Sequence, residues 1–178
     1  RSNTANITAS QVLNAAASSD NCGTVNAASV STNTFNCGNL GSNTVTLTAN
    51  DGHGNAASCT AIVTVNDATV PTAICQNVSV NLNSAGAASV GAAQVNNGSS
   101  DNCGTVNLVS VVPNAFTCAN IGANPVTLSI TDGHGNAATC TATVTVGDNL
   151  APSALCRDIV VQLNGSGNAS ITMSRQAK

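Results

Sequence analysis

Three residue types in this 178-residue chain could do chemistry: eight cysteines, seven aspartates and two histidines. Thiols can bridge or bind soft metals, carboxylates can hold hard cations, and an imidazole can do acid–base work or ligate. Their spacing narrows the choice. Cys22, Cys37, Cys59 and Cys75 recur 81 residues on as Cys103, Cys118, Cys140 and Cys156. Asp20, Asp51 and Asp67 recur as Asp101, Asp132 and Asp148, and His53 as His134. Chemistry repeated at a fixed period belongs to a repeating unit rather than to one site.

Zinc is a poor fit. No two cysteines stand two residues apart, and each histidine has only one cysteine nearby, so the usual ligand spacing is missing. Bridging is the better reading, and it places the chain in an oxidising compartment, outside the cytosol. Catalysis fits no better. His134 and Asp132 share the turn Asp132-Gly133-His134-Gly135-Asn136, as His53 and Asp51 share theirs. Neighbours in one turn do not make a triad, which needs groups converging from separate elements. The chain is therefore read as a non-enzyme.

The aspartates have two readings. Asp67 closes one unit, while Asp101 and Asp132 fall in loops expected at the near end of the next. Three carboxylates and nearby Asn carbonyls meeting there would suit Ca²⁺, a hard cation that prefers oxygen. Asp20 with Asp51 would serve the preceding junction and Asp148 the following one. The competing reading makes all six of them turn and loop caps, and no established calcium-loop pattern is present. No other cofactor is implied.

The elements that must position these residues are short strands. Ala73 to Leu82 alternates apolar and polar residues, as a half-buried strand does. Ala87 to Val95, Thr105 to Val112, Ala115 to Cys118, Pro125 to Thr131 and Thr139 to Val146 read as further strands. Gly and Asn in 96–104, 120–122 and 132–136 mark loops and turns. No stretch has sustained helical periodicity. The expected fold is all-β: tandem immunoglobulin-like β-sandwiches of about seven short strands with a period of 81 residues. Residues 1–69 read as a unit lacking its first strand, 70–150 as a complete unit, and 151–178 as the first strands of a third. The chain opens part-way through a unit, as expected of a processed product or a window on a longer array.

Composition excludes several partners. Only 6% of residues are charged, and residues 2–156 contain no Lys or Arg. A phosphate backbone finds nothing to bind, so nucleic acid is excluded. No apolar run is long enough for a membrane-spanning helix. The two aromatics, Phe35 and Phe116, are 81 apart and read as one core anchor per unit. Without Trp or Tyr there is no stacking platform for a sugar ring.

Five segments carry a resemblance: Ala73-Ile74-Cys75-Gln76-Asn77-Val78, Asp101-Asn102-Cys103-Gly104, Phe116-Thr117-Cys118, Asp132 to Asn136, and Cys140 to Val146. Together they resemble hyalin-repeat (HYR-like) immunoglobulin-type domains, which form long tandem arrays in large secreted adhesins of gliding bacteria. The resemblance implies an extracellular, non-catalytic array at the cell surface, used for adhesion or as a stalk or filament.

Within such a unit Cys103 and Cys118 flank one strand and its return, so they are the expected local bridge, with Cys22–Cys37 as its equivalent. The first and last strands of the unit run parallel and begin near the same end, which favours Cys75–Cys140. The alternative pairs Cys59 with Cys75 and Cys140 with Cys156 across junctions. The favoured pairing leaves Cys59 and Cys156 over, as candidates for a bridge to a neighbouring copy or repeat. Residues 151–178 would then add their strand to residues 1–69 of the neighbour. The expected function is a self-associating stalk or fibre. The alternative is a binding module whose loops, such as 96–104 and 132–136, recognise a glycan or surface protein.

Overall fold

In a computed structural model, residues 4–171 are described, and they are built mainly of strands. The N-terminal group holds β1 (Ala5–Asn6), the single-turn helix α1 (Ala9–Val12), β2 (Asn26–Val30), β3 (Thr34–Phe35), β4 (Gly41–Asn50) and β5 (Ala56–Val65). The C-terminal group holds β6 (Val78–Asn81), β7 (Ala87–Ser89), the single-turn helix α2 (Ala92–Val95), β8 (Asn107–Val112), β9 (Ala115–Thr117), β10 (Gly122–Thr131) and β11 (Ala137–Gly147). Short 3-10 turns over Cys37–Asn39 and Cys118–Asn120 lead into β4 and β10.

The C-terminal group forms a four-stranded sheet in the order β6-β11-β10-β8 and a two-stranded sheet β7-β9. The N-terminal group forms β2-β4-β5 and β1-β3. The long hairpin β10–β11 is antiparallel through ten residue pairs, from Gly122↔Val146 to Thr131↔Ala137. β4–β5 repeats it from Gly41↔Val65 to Asn50↔Ala56. The difference lies at the outer edge. β11 carries β6 as a parallel neighbour, with Val144 opposite Val78 and Val146 opposite Val80. β5 has no neighbour there among the described residues.

Alternation explains the core. Val126, Leu128 and Ile130 of β10 are at most 1% exposed, while Thr127 and Ser129 between them face outward in part. Ala142, Val144 and Val146 of β11, Val111 of β8, Phe116 of β9, and Leu82, Val90 and Val95 complete one buried cluster drawn from both sheets. Burying each such side chain stabilises the fold by roughly 1.5–3 kcal/mol. The N-terminal group has a smaller buried set: Phe35, Val45, Leu47 and Ala49. Val63, which corresponds to the fully buried Val144, stays half-buried because no strand covers the β5 edge.

Three details depart from the sequence reading. First, Ala87 to Val95 is not one strand: β7 ends at Ser89 and α2 follows. The Gln94 side chain causes the switch, its Oε1 accepting the Gly91 N–H at 2.8 Å and closing a turn that alternation alone does not reveal. Gln11 does the same for Thr8 at 2.7 Å. Second, the strand expected over Ala73 to Leu82 is reduced to Val78–Asn81, with Cys75 joined to Asn96 by a single bridge. Third, residues 154–163 form no strand. A strand needs a partner to take up its backbone groups, and none is present beside this segment. Residues 172–178, the remainder of the expected third unit, lie outside the described residues.

Candidate functional site

Two disulfides are closed: Cys75–Cys140 and Cys37–Cys103. The first joins the approach to β6 to β11 and so clamps the parallel edge of the four-stranded sheet. The second joins the turn before β4 to the loop before β8, and so links the two strand groups. Cys22–Cys37 and Cys103–Cys118, the expected local bridges, do not form; Cys22, Cys59, Cys118 and Cys156 are free and exposed. The physical reason is strand length. Cys118 stands just before Gly122, the first residue of β10, whereas Cys103 precedes Asn107, which pairs with Thr131 at the other end of β10. Ten residues of strand, roughly 34 Å, separate the two ends. The three-residue β9 does not carry the chain back.

The contact between the strand groups carries the main charged cluster. Asp67 follows β5, and Asp132 and His134 occupy the turn between β10 and β11. One ligand atom from each lies within 4.8 Å of the others. The Asp67 side chain is only 2% exposed, and His134 Nδ1 lies 3.9 Å from its Oδ2. That Oδ2 accepts no hydrogen bond, while Oδ1 accepts the Thr69 N–H at 3.0 Å. The Asn136 amide donates to the Asp67 carbonyl oxygen at 3.1 Å, tying the turn to the end of β5.

The turn is built by Asp132. Its Oδ1 accepts the N–H groups of His134 and Asn136 at 2.7 and 3.1 Å. Gly133 and Gly135 take positive φ values of 84° and 105°, which side chains with a Cβ resist. The turn over Asp51 to Asn55 is the same: Asp51 Oδ1 accepts from His53 and Asn55 at 2.8 and 3.1 Å, with Gly52 and Gly54 at 78° and 102°. Burial pushes the Asp132 carboxyl up, but the Asn136 amide and the His134 and Asn136 N–H groups outweigh it and hold the group below 3.8. Asp51 is held below the same value first by the Asn55 side chain.

The expected junction of Asp67, Asp101 and Asp132 is thus brought together in part. Asp101 caps its own loop, its Oδ2 accepting the Cys103 N–H at 2.7 Å, and lies outside the cluster. His134 takes the third place. Asp20 and Asp51 line one shallow pocket. Asp148 is exposed, its Oδ1 accepting the Leu150 N–H at 3.1 Å as Asp67 does for Thr69.

The other exposed feature is apolar. Ile7, Gln11, Val12, Ala61, Ile62 and Val63 line a groove beside β5. Ile62 is 62% exposed. Beyond β11, Leu155, Val160 and Leu163 are exposed as well. No described helix is long and apolar enough to cross a membrane. The chain matches no protein-family model and no curated protein.

Proposed function

We propose that the chain is a structural or adhesive extracellular repeat protein whose copies join end to end into a disulfide-stapled stalk or filament. The observation that carries this reading is the uncovered β5 edge, together with a segment after β11 whose residues repeat, 81 positions on, those that cover the equivalent β11 edge. Val78–Asn81 lies parallel on β11, and Ile159–Gln162 stands 81 residues further on. Shifted by one period, Ile159 would face Val63 and Val161 would face Val65. Leu163, now 67% exposed, would take the place of Leu82, which is 4% exposed. Cys156 would meet Cys59 as Cys75 meets Cys140. An open, apolar edge invites a further strand.

The units are read as tandem immunoglobulin-like sandwiches similar to hyalin-repeat domains, and two disulfides suit an oxidising environment. The chain acts without catalysis in this reading. A divalent cation between Asp67, Asp132 and His134 would stiffen the joint and satisfy the buried Asp67 Oδ2. The imidazole makes that donor set better suited to a zinc-class ion than to Ca²⁺. Adding zinc should raise the melting temperature, and Asp67→Asn should remove the rise; equal rises in both proteins would sink the cation site.

Electron microscopy of the full chain tests the assembly. Two units, each about as long as a ten-residue strand, give an axial repeat of roughly 70 Å per copy. Ile159→Asp should abolish the fibres by placing a charge at the covered edge. Monodisperse monomers at high concentration under oxidising conditions would overturn the reading.

A further inference from the structure

Four free, exposed cysteines are unusual in a chain that has closed two other bridges. Their positions are those of the closed bridges displaced by one period. Cys118 stands 81 residues after Cys37, and Cys22 stands 81 before Cys103; Cys156 follows Cys75 and Cys59 precedes Cys140 by the same step. We propose that each joint between copies carries two disulfides, the second closing Cys118 of one copy on Cys22 of the next. This rests on the end-to-end reading above and adds to it a second covalent link. It also makes the joint between copies a reproduction of the joint inside the chain.

Local structure supports the displacement. Cys37 and Cys118 each open a 3-10 turn. In both turns the Asn two residues on accepts, through Oδ1, the N–H of the residue before the cysteine, Asn39 from Asn36 at 3.0 Å and Asn120 from Thr117 at 2.9 Å. In both, a second Asn ties off the carbonyl of the first: Asn43 to Asn39 at 2.6 Å and Asn124 to Asn120 at 2.7 Å. The receiving ends match too. The Cys103 N–H donates to Asp101 Oδ2 at 2.7 Å, and the Cys22 N–H to Asp20 Oδ2 at 2.9 Å. The free pair is therefore held by the same local hydrogen bonds as the pair already joined, although Gly104 after Cys103 takes positive φ and Gly23 after Cys22 does not. The acidic contacts follow the same step: Asp148 of one copy would approach the Asp51–His53 turn of the next, as Asp67 approaches the Asp132–His134 turn.

Bond formation is thiol–disulfide exchange. The Cys118 thiolate attacks an external disulfide, such as oxidised glutathione, and releases one thiol. The Cys22 thiolate then displaces the second thiol, so two cysteine thiols become one disulfide while the external disulfide is reduced to two thiols.

The test mixes isotopically labelled and unlabelled full chains and oxidises them with glutathione disulfide. Pepsin digestion at acid pH, where exchange is slow, is followed by mass spectrometry. The expected result is a Cys22–Cys118 peptide with one labelled and one unlabelled half. A non-reducing denaturing gel of the Cys59→Ser/Cys156→Ser protein should still show a ladder, held by Cys22–Cys118 alone. Adding Cys22→Ser and Cys118→Ser should abolish the ladder. If fibres form and only the Cys59–Cys156 peptide is mixed, the second bridge is refuted while strand addition stands. Cys22–Cys118 peptides labelled uniformly would also refute it, because both halves would come from one copy. If no fibres form and no mixed peptide appears, both readings fall.

Discussion

Removing the Cys75–Cys140 bridge should unfold the C-terminal strand group at much lower temperature. The bridge closes a separation of 65 residues, and the chain-entropy relation gives about 4 kcal/mol for a loop of that length. A domain of this size shifts by roughly 4–8 °C per kcal/mol, so Cys75→Ala/Cys140→Ala should lower the midpoint by roughly 15–30 °C. The background should carry serine at Cys22, Cys59, Cys118 and Cys156, so that neither exchange nor assembly intervenes. Scanning calorimetry reads the shift. The matching change, Cys37→Ala/Cys103→Ala, opens a separation of 66 and removes nearly the same loop entropy. Its signature should differ. The two strand groups share no sheet, so losing their covalent link should resolve one transition into two. A shift below about 5 °C for the first variant would refute the entropy argument. A single transition after the second would refute the independence of the two groups.

Phe116→Ala should cost about 3–5 kcal/mol, because this ring is 2% exposed at the centre of the main core; urea unfolding at constant slope measures it. Gly86→Ala should destabilise by about 1–2 kcal/mol, since Gly86 has φ of 73° and an added Cβ would lie 2.9 Å from Cys118 Sγ; thermal melts against a neighbouring exposed substitution check this. Acid should destabilise the fold through Asp132. Its folded pKa lies below 3.8, so its contribution is complete above the unfolded value and is lost as pH falls through the folded one. Urea midpoints between about pH 2 and pH 6 should show this loss, and Asp132→Asn should flatten it.

The long hairpins were legible because β10 and β11 alternate cleanly and the glycines of 132–136 permit only a turn. The helical turn after β7 was not, since Ala92, Ala93 and Val95 fit either period and the deciding contact is the Gln94 side chain closing on Gly91. The two local bridges expected from spacing, Cys22–Cys37 and Cys103–Cys118, fail for a related reason. Cys103 and Cys118 are close along the chain, yet β10 shows them at opposite ends of the sheet. Pairing Cys75 with Cys140 followed from two parallel strands beginning at one end, a property of topology rather than distance in sequence. His134 was assigned to its turn alone. Its approach to Asp67 depends on how one strand group abuts the next, which no local pattern encodes. Asp101 is expected in that cluster because its loop lies near the junction, but its Oδ2 accepts the Cys103 N–H within its own loop and the carboxylate stays outside the cluster.

The Cys37–Cys103 bridge also sets how the molecule answers to pulling. Tension entering along the chain at Cys37 passes through sulfur to Cys103 and bypasses residues 38–102. Those residues, including β4, β5 and the whole of β6 and β7, cannot be drawn out as slack while the bond holds. Reducing the bond would release those residues as additional length under the same pull.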